Sequence, residues 1–185
     1  MDKARTLVRR MFRRWLRYEP TWNEFIAALP GITALMFMLS LSGYVLAKLL
    51  VPIGNEGGEA INEFLSRTPF LVVMAVMVLV VLVEEAVFRL PLLIPLHFAG
   101  PGKVTAASVI VLSVVFGELH GSWHFMVQGL SGIVLSLVFL KCGGVRGRWG
   151  YLKGYACAAV VHYSFNAAAI ISFFVKRWFG FASGL

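Results

Sequence analysis

Apolar residues fill the chain in long blocks, and the polar residues gather in short clusters between and within those blocks. The first block runs from about Phe25 to Val51. Pro30-Gly31 lies near its start, and Lys48 can lay its stem along lipid while its ammonium reaches outward. The second covers about Thr68 to Leu96. From Val104 to Leu140 there follow 37 residues with no conventional loop. At about 1.5 Å rise per residue that is roughly 55 Å of helix, enough for two short spans. The one candidate turn is the polar run Gly117 to His124, which fits a water-filled cavity where irregular backbone is tolerated. A last block runs from about Gly154 to Val175 and ends in Lys176-Arg177. Apolar runs of about 20 residues are the length of a membrane-crossing helix. The pattern therefore predicts an all-α, polytopic transmembrane helix bundle of about five spans.

Ahead of the first span, residues 3–18 follow a different pattern. Leu7, Val8, Met11, Phe12 and Trp15 share one helical face and the arginines take the other. That pattern predicts a basic amphipathic helix suited to the headgroup plane, with anionic membrane lipids as its partner; a charged cytoplasmic tail is the alternative. The chain divides into this basic segment, 1–24, and a single integral membrane domain, 25–185.

Composition sharpens the picture. The chain is 59% hydrophobic and 14% charged, with a mean hydropathy of +0.80, whereas soluble domains run about half apolar and a quarter charged. Of the 17 basic residues, Lys3, Arg5, Arg9, Arg10, Arg13, Arg14 and Arg17 precede position 18. Next to a membrane span such a cluster sets orientation rather than binding nucleic acid. The N-terminal segment, the 97–103 turn and the 141–153 loop are basic, and residues 53–67 carry Glu56, Glu59 and Glu63 against Arg67 alone. The positive-inside bias places the N-terminus in the cytoplasm, with only Lys176-Arg177 dissenting. Cys142 and Cys157 make no disulfide framework and no zinc knuckle. No internal repeat of the inverted-transporter kind stands out.

The candidate chemistry lies inside the spans. Glu84, Glu85 and Arg89 interrupt the second block, where each charge costs roughly 2.5–3.5 kcal/mol at mid-bilayer, so they mark a functional site facing a cavity. Glu85 and Arg89 are i and i+4 and can pair. Glu84 lies about 100° away and is left as the free carboxylate, suited to general acid–base work. His120 follows Phe116 by four residues; taken alone it fits a helix-packing histidine as well as a site residue. His124 fits an interfacial histidine, and His97 sits in a connecting turn. His162 and Asn166 present two polar heads along one face of the last span, where an Asn also serves to glue helices.

Glu84-Glu85-x-x-x-Arg89, Phe116-x-x-x-His120 and His162-x-x-x-Asn166, in that order on successive apolar segments, resemble the three motifs of the CPBP family. These are the CAAX-protease and bacteriocin-processing intramembrane endopeptidases, which include the Ras-converting prenyl protein protease. The resemblance spans about residues 68–175. It implies an all-helical membrane bundle around a cavity, and hydrolysis of a peptide bond in a lipidated or membrane-anchored protein or peptide. Carried over by position, Glu84 activates water, His120, His162 and Asn166 assist, and Glu85–Arg89 tunes Glu84. No cofactor is required on that reading; a zinc version would use His120, His162 and Glu84 as ligands. A compact chain of this kind is similar to prokaryotic members, which implies a prokaryotic inner or plasma membrane. Many members carry Gly after the motif arginine, whereas Leu90-Pro91 stands here and predicts a bend beyond the site. The competing class is not an enzyme: a proton or cation relay, or a bacteriocin-immunity or partner-binding member.

Overall fold

The protein is described by a computed structural model covering residues 18–50, 58–121 and 124–182, together with Met11, Arg14 and Trp15. Among these residues there is helix and no strand. In chain order, α1 is Trp22–Leu50, α2 is Gly58–Arg67 and α3 is Phe70–Arg89. A 3₁₀ turn, Leu90–Leu92, leads into α4, Leu93–Ala99, and then α5, Lys103–Glu118. A second 3₁₀ turn, His124–Met126, precedes α6, Gln128–Phe139. A π-helical segment, Leu140–Gly144, joins α6 to α7, Gly147–Ala182. Most of the amphipathic segment expected over 3–18 lies outside the described residues.

Among the described residues three stretches, Trp22–Leu49, Phe70–Ala99 and Trp149–Phe179, are long and apolar enough to cross a membrane. Their outward faces are apolar as well: Leu71, Leu79, Val83, Ile94 and Phe98 are all exposed. Water would penalise such a surface, and lipid does not. The two elements expected as short spans are α5 and α6, of 16 and 12 residues. At about 24 and 18 Å neither matches a hydrocarbon core of about 30 Å alone, and they pack as a helical hairpin.

Helix α6 is the centre of the bundle. Gly129, Ser131, Gly132, Val134, Leu135, Ser136, Val138 and Phe139 are buried all round it, and it packs on α5, α7 and α1. Small residues permit that closeness: a Cβ on Gly132 would stand 3.2 Å from the Phe116 ring and 3.3 Å from Ser113. In α3 the buried positions Val73, Met77, Val81, Glu85 and Arg89 fall four apart, one stripe along the helix. The charged pair thus continues the face that apolar side chains use to enter the core.

Element boundaries differ from the sequence reading in two places. The expected 141–153 loop is mostly the π segment and the first turns of α7. No breaker follows Gly147, and the glycines serve close packing: a Cβ on Gly150 would lie 2.3 Å from the Gly143 carbonyl oxygen, and one on Gly154 2.5 Å from that of Phe139. Within 53–67, the second half is α2 rather than loop, with Glu63 and Arg67 paired at 2.8 Å one turn apart. Pro91 does break α3, through the 3₁₀ turn.

The start of α1 is fastened to the α6–α7 junction. Thr21 and Glu24 cap α1 reciprocally, Thr21 N–H donating to Glu24 (2.7 Å) and Glu24 N–H to Thr21 Oγ1 (3.3 Å). Lys153 Nζ donates to Glu19 and to the Pro20 carbonyl, both at 2.6 Å, and Arg146 stands 3.3 Å from Glu19. Lys141 donates to the Tyr18 carbonyl (2.6 Å) and to that of Trp15.

Candidate active site

Polar residues of α3 and α7 meet His120, in the turn after α5, beside α6. On the buried side, Arg89 and Glu85 are both fully enclosed. Arg89 Nε donates to Glu85 Oε2 at 2.7 Å and Nη2 to Oε1 at 3.3 Å, a two-pronged pairing. Its Nη1 donates to Ser136 Oγ at 2.7 Å. His162, on α7, places Nδ1 2.9 Å from Glu85 Oε1. A buried ion pair is tolerable only when its remaining donors and acceptors are satisfied, and these contacts supply them.

On the open side stands Glu84, 26% exposed at its side chain, with no cation bonded to it among the described residues. His120 Nε2 lies 3.7 Å from its Oε1 and His162 Nε2 3.6 Å from its Oε2. Both gaps exceed a direct hydrogen bond and are of the kind a water can link. His120 is 30% exposed at its side chain and lies on the same side.

The partners of the two imidazoles assign their protons. His120 Nδ1 is 2.7 Å from the Phe116 carbonyl oxygen, which only accepts, so Nδ1 carries hydrogen. His162 Nδ1 faces the Glu85 carboxylate and likewise carries hydrogen. In the neutral rings each Nε2 is then the bare nitrogen, and both bare nitrogens face Glu84. Aromatic packing fixes the rings: Phe116 lies 4.5 Å from His120 and 5.8 Å from His162, centroid to centroid, and Phe88 meets Phe116 edge-on at 4.9 Å.

Of the residues expected from sequence, the structure brings Glu84, Glu85, Arg89, His120 and His162 into one cluster. Asn166 stands one turn beyond His162 on α7, partly buried and without a hydrogen bond among the described residues. His124 begins the second 3₁₀ turn. Two members of the cluster escaped the sequence reading. Phe88 could have been found at i+4 from Glu84, on the same face. Ser136 carries only the signal of a small polar residue inside an apolar helix.

Among the described residues no three of His, Cys, Asp and Glu are grouped to hold a metal ion. The Nε2 atoms of His120 and His162 lie nearest to different oxygens of Glu84.

This cluster lies wholly within residues 66–168, the stretch matched by the family model for Type II CAAX prenyl endopeptidase Rce1-like, which is more than half of the chain. The chain belongs to that family. No curated protein and no solved structure matches it significantly. As an Rce1-like protein it is an intramembrane endopeptidase of the CAAX-protease type, which agrees with its three membrane-length helices. Membership also implies a membrane-anchored substrate.

Proposed function

We propose that this Rce1-like protein hydrolyses a peptide bond in a lipidated or membrane-anchored peptide, with Glu84 as the group that activates water. One observation carries the reading. Of the two adjacent acids, Glu85 is consumed by Arg89 and His162, while Glu84 is bonded to no Lys or Arg among the described residues, is reachable and is faced by two imidazole nitrogens.

Glu84 takes a proton from a water lodged beside it, and the Nε2 of His120 or His162 accepts a hydrogen bond from that water's second hydrogen, which stays on the oxygen. The hydroxide adds to the scissile carbonyl. Asn166, whose amide is committed to no other described group, donates to the developing oxyanion. Glu84 then returns its proton to the leaving amine as the C–N bond breaks. The chemistry is carried by the chain's own residues.

The test is cleavage of lipidated and transmembrane-tail peptides by purified protein in lipid, wild type against Glu84→Ala, with and without a strong chelator. The expected result is a loss of about 10²–10⁴-fold on Glu84→Ala, the range for removing a general acid–base, and indifference to chelator. Sensitivity to chelator in the wild type would move His120, His162 and Glu84 to metal ligands. A wild type that cleaves nothing Glu84→Ala spares overturns the reading.

A further inference from the structure

We infer that Ser136 is a positioning residue of this site, setting the tautomer of His162 through Arg89 and Glu85; the inference rests on the endopeptidase reading above. Ser136 is fully buried in α6, a helix that carries none of the motif residues. Its hydroxyl lies 2.9 Å from the Gly132 carbonyl oxygen and 2.7 Å from Arg89 Nη1. A carbonyl only accepts and a guanidinium only donates. Ser136 must therefore donate to Gly132 and accept from Arg89, with no freedom to reverse.

Farther along, each group's own chemistry sets the direction of its bond, and Ser136 sets where the groups stand. Arg89 spends its other two contacts on the Glu85 oxygens, and a carboxylate only accepts, so His162 must offer Nδ1–H. Ser136 thus anchors, from a backbone carbonyl of α6, the guanidinium and carboxylate that keep the bare Nε2 of His162 facing Glu84. The same turn of α6 seats Phe116, since Gly132 yields the space that its ring occupies beneath both histidines. Without the hydroxyl, Arg89 Nη1 loses its acceptor in a place sealed from solvent. The guanidinium then shifts to find another, Glu85 follows it, and the hold on His162 Nδ1 slackens. A wrong tautomer presents Nε2–H to Glu84 and removes the acceptor for the water, which is how a residue outside the reacting atoms controls them.

A different role is available to a buried serine: simple glue between helices, or local shaping of α6 by its bond to the carbonyl four residues back. Glue predicts lost stability with an unchanged tautomer. The experiment uses the full chain in lipid, comparing wild type, Ser136→Ala and Ser136→Thr, which keeps the hydroxyl. Two readouts are taken: kcat and KM on a cleaved peptide, and imidazole ¹⁵N shifts of ¹⁵N-histidine-labelled protein.

The expected result for Ser136→Ala is a fall in kcat of about 10–100-fold, the scale of a small misplacement of reacting groups, with KM nearly unchanged. His162 should pass from the Nδ1–H form to a mixture, and Ser136→Thr should restore both readouts. Wild-type kcat in Ser136→Ala overturns the inference, and so does a purely Nδ1–H His162 in that variant. Should Ser136→Ala not fold, Ser136→Cys, close in volume and a weak acceptor, takes its place with the same expected losses. If the wild type cleaves no peptide, the endopeptidase reading falls, while the nitrogen shifts still decide whether Ser136 governs His162.

Discussion

Glu84 and Glu85 are neighbours in sequence with opposite surroundings, and opposite consequences follow from neutralising them. Glu85→Gln leaves the Arg89 guanidinium buried without its counter-charge. Breaking one side of such a pair costs about 3–5 kcal/mol, so the variant should unfold at a clearly lower temperature in detergent. Glu84→Gln removes no bonded partner and should unfold within about 0.5 kcal/mol of wild type, yet lose cleavage. Equal loss of stability in both variants would contradict the division of labour. The i, i+4 rule was enough to pair Glu85 with Arg89 from sequence, because that contact lies within one helix. The tautomers of His120 and His162 were not legible, because they depend on the Phe116 carbonyl and on a carboxylate from another helix. Ser136 was hidden for the same reason: its value comes from standing within reach of Arg89, which only the packing of the bundle decides.

At the scale of elements, block lengths and breakers located the helices, while glycine contacts decided their boundaries and closeness. Pro91 signalled its own break. Gly150 looked like a loop residue and instead, with Gly154, allows α7 to begin against the α6 end. Two glycines of α1 separate these roles. A Cβ on Gly31 meets nothing within 4 Å, whereas one on Gly43 would stand 1.8 Å from the Met126 carbonyl oxygen. Gly31→Ala should therefore stabilise the protein by about 0.5–1 kcal/mol, since alanine is the better helix former. Gly43→Ala must push α1 away from the turn that follows His120, and should lower both thermal stability and cleavage. Unfolding curves of the two variants in one detergent check this. A harmless Gly43→Ala would mean that α1 and the turn are not held as closely as described.

For the whole molecule, the packing relates the chain ends to one another and so gives the charge pattern a geometry. Glu19, before α1, is bonded to Lys153 and paired with Arg146 at the start of α7. At the other end of α7, Phe174 packs on Phe70 at 5.3 Å and Arg177 donates to the Ser66 carbonyl at 2.8 Å. Helices α3 and α7 are therefore antiparallel, and the α4–α5 turn lies on the side of Glu19. Arg177, part of the one basic pair that dissented from the positive-inside pattern, serves locally as a cation at the C-terminal end of α2, where carbonyls are unpaired. A basic face turned inward, the arrangement that the charge pattern predicts, would put Lys103 in the cytoplasm and Arg67 on the opposite side. Both are exposed, and the native Cys142 and Cys157 are buried, so wild type should be nearly silent towards a membrane-impermeant maleimide. Lys103→Cys should label only when the cytoplasmic face is presented, and Arg67→Cys only from outside. The reversed pattern would overturn the orientation while leaving the bundle intact. Labelling of both positions from one side would instead mean that α3 does not cross the membrane, and the site would then need a different route to its substrate.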